Sequence, residues 1–239
     1  MTNVSDASAT DWPPGWQVRW VAETGSTNAD LLSAGIEGAP DRTVLAADHQ
    51  TSGRGRLDRR WDAPPGANLL VSMLLRELPD DPHVITQRVA LAAVAACRIE
   101  ADAEVTIKWP NDLLLGGAKL AGILAQAGMS ATGPFIVVGI GLNIGWSPPE
   151  AARLGDRTNP KALLRALLTA FDELRDDIAA LYRANLSTLG QLVRVELPGD
   201  RFVTGRALDV EADGRLVVLD ECAVTHRIDT GDVVHLRPA

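Results

Sequence analysis

The chain has 239 residues, of which 46% are hydrophobic and 23% charged, with a formal net charge of −8. Such a composition is that of a globular protein with one large domain, or a medium one plus a small one, big enough to hold its core without disulfides. The acidic balance argues against broad nucleic-acid binding, which depends on neutralising phosphates, and no apolar run of membrane-spanning length occurs.

In chain order, residues 1–14 are polar, carry neither the basic start nor the apolar core of a signal peptide, and read as a disordered arm. The cytoplasm is the expected compartment. In "GSTNADLLSAG", Ser26, Thr27 or Asn28 can cap a short helix ending near Gly35. "TVLAADHQ" reads as a strand entering the glycine and arginine loop "TSGRGRLDRRW", and "NLLVSMLLRE" as a buried strand. The Ala-rich stretch from Pro82 to about Glu100 has helical spacing and a proline at its start. "EVTIKWP" alternates and stops at Pro110, and "NDLLLGGAKLAGILAQAG" predicts a hairpin turning at Gly116-Gly117. "GPFIVVGIGLNIG" is a further strand, and "NPKALLRALLTAFDELRDDIAALYRAN" one long amphipathic helix capped by Asn159 with Pro160 in its first position. Five short β-like runs fill residues 191–239 without helix signals and read as a small separate β-barrel. Cys97 and Cys222 lie far apart in apolar runs and read as buried, reduced thiols. The order of elements predicts an α+β chain: a larger domain over residues 15–190 with a mixed sheet flanked by helices, then the barrel over residues 191–239.

Several chemistries are excluded by pattern. There is no Walker loop, no G-x-S-x-G elbow, and the four histidines do not fall at metal-ligand spacing. "GIGLNIG" breaks the dinucleotide fingerprint and runs into "WSPPE", which cannot start a helix cleanly. "SGRGR" differs: glycine allows close backbone approach, and arginine offers planar donors suited to phosphate or carboxylate. A solvated surface turn is the plainer reading of that loop. Lys119 sits among small and apolar neighbours in the hairpin, so it needs a partner, which a bound anion would supply, unless it reaches solvent from the turn. Gly122 would let a group pack flat on its strand.

"GSTN", "QTSGRGR" followed by Trp61, "GANLLVSMLLR", "KWPNDLLLGGAKLAGIL" and "VVGIGLNIG" stand together in an order that resembles the biotin protein ligases, over about residues 18–239. The end, "GDVVHLR", resembles the SH3-like C-terminal domain of bacterial members. The resemblance implies a catalytic fold like that of class II aminoacyl-tRNA synthetases. It further implies an enzyme that makes biotinyl-5'-AMP from biotin and ATP with Mg2+, then passes biotin to one lysine of the biotin carboxyl carrier protein of acetyl-CoA carboxylase or a related carboxylase. By position, Ser26, Thr27, Asn28 and Gln50 match the biotin contacts, as do Gly53, Arg54, Gly55, Arg56, Lys119 and Gly122. Arg56, Arg59, Trp61, Lys108, Asn111 and Asn143 match the ATP and adenylate side. Arg54, Lys119 and Asp112 are the implied catalytic groups, Asp112 with two alternative roles: proton acceptor and magnesium neighbour, or the residue that orders the "WPND" turn. A homodimer is compatible with the sequence.

Two departures stand out. Asp58 replaces a glycine of the family loop and is expected to pair with Arg56, Arg59 or Arg60. "GSTN" begins at Gly25, which leaves no room for the DNA-binding domain of the repressor members, so no DNA partner and no repression are expected. The rival readings are a lipoate or octanoate transferase of the same fold, a biotin-binding module without catalysis, and a β-barrel interaction protein.

Overall fold

The computed structural model describes residues 12–229 and 231–235, Asp58 by its backbone alone. Two sheets organise the chain. The first has seven strands in the order β1-β2-β3-β7-β6-β5-β4, formed by Gln17–Thr24, Thr43–Gln50, Leu69–Leu75, Val105–Lys108, Asp112–Leu115, Ala118–Ser130 and Gly133–Leu142 for β1 to β7. β1 and β2 run parallel, joined by helix α1 (Thr27–Ile36), and the other neighbours pair antiparallel, so the sheet is mixed as expected. The second sheet is antiparallel, ordered β11-β10-β9-β8-β12. Its strands are Leu192–Leu197, Arg201–Val210, Leu216–Leu219, Thr225–Ile228 and Asp232–His235 for β8 to β12, the five runs anticipated at the C-terminus.

The faces of the large sheet differ. Leu31 of α1 packs with Leu45, Leu74, Phe135 and Val137 on one face. Helices α2 (His83–Ala101) and α3 (Pro160–Glu173) cover the other, over a larger core that includes Val44, Met73, Ile136 and Val138. Burial on both faces explains why β3 reads as a continuous apolar run. The hairpin between β5 and β6 turns at Gly116 and Gly117, both with positive φ (59° and 82°), where glycine carries no Cβ penalty. Among the described residues, no helix is long and apolar enough to cross a membrane.

The structure corrects three expectations and adds a strand that the sequence did not signal. The arm does not extend to residue 14: Trp12 packs against the core, and residues 1–11 lie outside the described part. β1 carries no clear signal because it is an edge strand with half-exposed side chains. The single long helix is two, α3 and α4 (Ala179–Asn185). Arg88 donates to the carbonyls of Phe171, Leu174 and Arg175, which takes up the acceptors a continuing helix would use. Asp177 then accepts from Ala179 N at 3.1 Å to start α4. Finally, Cys97 is buried as expected, whereas Cys222 is exposed, because its apolar neighbours sit on a turn between β10 and β11.

The C-terminal sheet is fastened to the segment after β4. Trp109 donates its indole N–H to Gly214 O at 2.9 Å and its backbone N–H to Thr188 Oγ1 at 3.0 Å. His235 of β12 meets that same hydroxyl at 3.3 Å. Arg183 of α4 pairs with Asp209 of β9 at 2.6 Å.

Candidate functional site

A cavity of about 260 Å³ opens on the α1 face of the large sheet, at the N-terminal end of that helix. Ser26 adopts extended backbone and caps the helix, its side chain accepting from Ala29 N at 3.5 Å, so the next two side chains point into the sheet. Thr27 donates through its backbone N–H and its hydroxyl to Gln50 Oε1, at 2.8 and 3.0 Å, and its hydroxyl meets Ser72 Oγ at 2.7 Å. Ser72 donates to Asn28 Oδ1 at 2.5 Å, and Asn28 Nδ2 donates to Leu124 O and Gln126 Oε1. This inner end is polar, uncharged and buried, and its members hold one another in place.

The floor is made of glycines in register. Gly122 of β6 stands opposite Gly141 of β7, and Gly139 stands between Leu124 and Ser72. A Cβ at Gly141 would collide with the Trp61 indole, one at Gly122 would come within 3.2 Å of it, and one at Gly139 would collide with Asn28. The group packed flat on Gly122 is therefore the Trp61 ring. Its indole N–H is buried and has no hydrogen-bond partner among the described residues, which leaves a donor at the centre of the site with its desolvation cost unmet.

The loop from Gly53 to Trp61 forms the outer wall. It closes on itself: Trp61 N donates to Gly53 O at 2.9 Å, Gly55 N to Arg59 O at 2.7 Å, and Arg54 and Arg60 form a β-bridge. Between them Arg56–Asp58 form a 3-10 turn with Leu57 at φ 55°. Arg56 donates to Asn111 Oδ1 at 3.1 Å, and Asn111 donates to Ile123 O at 2.7 Å. The pairing expected of Asp58 falls on a side chain outside the described residues.

Lys119 Nζ lies 2.7 Å from Asp112 Oδ1 and 5.8 Å from the centre of the Trp61 ring. The sequence says that this lysine needs a partner and offers a bound anion; the protein supplies one itself, because β5 places Asp112 opposite Gly122, beside it. The other carboxylates of the cavity wall are paired as well, Asp62 with Arg60 and Asp232 with Arg59. Among the described residues no group of three or more His, Cys, Asp or Glu could hold a metal.

The cavity wall includes Ser26, Thr27, Asn28, Gln50, Arg54, Gly55, Arg56, Arg59, Trp61, Asn111, Asp112, Lys119, Gly122 and Asn143. Gly53 and Lys108 are not part of it. Gly53 instead lets the loop neck pass against Gln50 and the Trp61 carbonyl. Lys108 is half-buried behind the wall, and desolvation holds its pKa below the ordinary value, with Asp112 opposing the shift and Lys119 adding to it. Asn143 is 2% exposed and accepts from Asn68 Nδ2 at 3.2 Å while donating to Ala152 O at 3.0 Å. It braces the turn after β7 as well as facing the cavity. Sequence reasoning missed Ser72, Asn68, Gly139, Gly141 and Asp232. A lone hydroxyl in the apolar run "LLVSMLL" and alternate glycines in "GIG" were the available signals for three of them.

Comparison with known proteins agrees over both sheets. The model of the biotin/lipoate A/B protein ligase family matches residues 21–143, and that of the biotin protein ligase C terminal domain matches residues 188–236. The biotin–[acetyl-CoA-carboxylase] ligase of Mycobacterium tuberculosis is 42% identical, over 93% of this chain and 91% of its own. The bifunctional ligase/repressor BirA of Bacillus subtilis is 30% identical over 75% of this chain, which spans 62% of that longer protein. The biotin protein ligase from Aquifex aeolicus, solved with biotin and ATP, superposes with a TM-score of 0.76 at 24% identity, covering 93% of this chain and 99% of its own. At that identity the likeness speaks for the fold. With the family model covering the pocket-bearing sheet and a relative matching nearly end to end, the chain belongs to the biotin protein ligase family.

Proposed function

We propose that the chain is a biotin–[acetyl-CoA-carboxylase] ligase, and that the cavity forms biotinyl-5'-AMP and then delivers biotin to a carrier lysine. The observation that carries this reading is one cavity with a neutral hydrogen-bonding end and a cationic end over a glycine floor. A ureido ring offers neutral donors and acceptors, which suit Ser26, Thr27, Asn28 and Gln50. The carboxylate at the far end of biotin then falls toward Arg54, Arg56 and Lys119. In the first step a carboxylate oxygen attacks the α-phosphorus of ATP and pyrophosphate leaves. Two anions meet, and fixed cations in a site closed to water lower that cost. Lys119 takes the carboxylate and α-phosphate oxygens, and Arg54 the same charge from the loop. Arg56, Arg59, Asn111 and Trp61 face the adenylate, Asn143 braces its far wall, and Lys108 adds positive potential from behind.

Magnesium fits only as an ion carried on the nucleotide phosphates, with Asp112 as the protein carboxylate beside it. Every carboxylate of the wall already has a cationic partner, and one carboxylate plus phosphates is an ordinary magnesium environment. Bound there, it would neutralise charge on the β- and γ-phosphates. The mixed anhydride made in the first step hydrolyses readily, so the loop serves to exclude water. In the second step the carrier amine attacks the acyl carbon and AMP leaves. Asp112, which holds Lys119 in place, is the group we assign to accept the amine proton. We place the reaction in the cytoplasm, in keeping with two unpaired cysteines.

The test is to incubate the protein with ATP, magnesium, biotin and a biotin carboxyl carrier domain and to follow the carrier mass. A gain of one biotin is expected. No gain overturns the proposal, and a gain with lipoate alone favours the acyl-transfer relatives of the same fold.

A further inference from the structure

The ligand loop is tied to the C-terminal sheet as well as to the pocket. Arg59 Nη2 donates to Asp232 Oδ2, and Asp232 is the first residue of β12, paired in register with Glu196 of β8. The Asp232 side chain is 22% exposed and held on a strand, while that of Arg59 is 65% exposed and sits at the loop neck. Beside the ion pair the two parts stand apart across a cleft of about 390 Å³. Leu57 on the loop side and Phe202 on the sheet side, both on this cleft, remain 68% and 57% exposed, so apolar packing does not join them. The connection at this point is electrostatic. It acts on the whole loop, because Arg59 O accepts from Gly55 N and Arg59 N donates to Arg56 O.

We infer that Asp232 is a positioning residue: its ion pair with Arg59 latches the ligand loop closed, so the C-terminal sheet helps to set how long an adenylate stays in the pocket. The latch itself is a property of the unliganded protein, and its effect on the adenylate rests on the function proposed above. A partly exposed ion pair is worth a two- to fivefold change, at most about that expected of such pairs, and it is weakened by salt.

Two measurements test it. In the unliganded protein, amide hydrogen exchange at Gly55 and Trp61 should quicken about two- to fivefold in Asp232→Asn, return toward the original rate in Asp232→Glu, and be restored at least in part by the exchanged pair Arg59→Asp with Asp232→Arg. Unchanged exchange in Asp232→Asn overturns the latch whatever the ligand is. In the liganded protein, dissociation of biotinyl-AMP should quicken by a similar factor in Asp232→Asn, while Asp232→Asn should add nothing further in an Arg59→Ala background, whose own loss includes the role of Arg59 toward the adenylate. Additive effects overturn the coupling. Altered exchange in a protein that makes no biotinyl-AMP overturns the proposed function and leaves the latch standing.

Discussion

At the inner end of the pocket, Thr27, Asn28, Gln50 and Ser72 stand on a helix and two strands, are at most 8% exposed, and bond one another. At the outer end, Arg54, Arg56, Arg59 and Arg60 stand on one loop, and two of them hold carboxylates at the cavity wall. The difference follows from what each end must do. Neutral polar atoms can be buried for good once they satisfy one another. Cations are costly to bury unpaired, so those of the outer end stand on a loop, two of them against internal counter-charges. The pocket thus has a neutral end fixed on a helix and two strands and a cationic end carried largely on one loop.

The largest expected effect probes the charged half. Lys119→Ala should slow adenylate formation about a hundredfold or more, as for loss of one donor to a developing charge. Its thermal midpoint should move little, since the lysine is 42% exposed. A rate loss matched by an equal loss of stability would erase the distinction between the two ends. Asn28→Ala probes the neutral end: it strips Ser72 and Gln126 of a partner and should cost about 1–3 kcal/mol of stability together with biotin affinity. Calorimetry with and without biotin reads both, and a fall in affinity alone would mean the network is less cooperative than its geometry indicates. Arg54→Ala should weaken retention of biotinyl-AMP by at least about 1.5 kcal/mol, the low end for a hydrogen bond to a charged group, while leaving the thermal midpoint in place. Unchanged retention refutes its assignment.

The smallest effect lies at the seam between the sheets. Burial, with Lys108 adding to it, lowers the pKa of His235 from its ordinary 6.5. The unfolded chain then binds the proton first, so stability is full above pH 6.5 and is lost as the pH falls below it. His235→Gln should flatten that acid limb in thermal unfolding measured against pH, with no change at pH 8. An identical limb in the variant would place the acid sensitivity elsewhere.

Much of this was legible in residue order because it is local. The Ser26 and Asn159 caps, the Gly116-Gly117 turn, and the strand and helix periods are decided within a few residues. The glycine and arginine loop announces its chemistry by composition. What escaped was set by partners distant in sequence. Lys119 could not be matched to Asp112 without the β5–β6 register, and Asp232 lies 173 residues from Arg59. The break after Glu173 depends on Arg88, a residue of another helix. β1 is half-exposed, so its alternation is too weak to separate it from a connecting segment.

The contrast between the two thiols has a practical outcome. Burial pushes the Cys97 thiol up to about 12, while Cys222 sits exposed on the β10–β11 turn. A maleimide dye applied to the native protein should therefore attach at one place, on the C-terminal sheet, and a second equivalent should react only after unfolding. The unaltered chain thus carries its own single attachment point. A fluorophore there, paired with the six tryptophans of the chain, would report movement of the C-terminal sheet during turnover without a cysteine having to be engineered or removed.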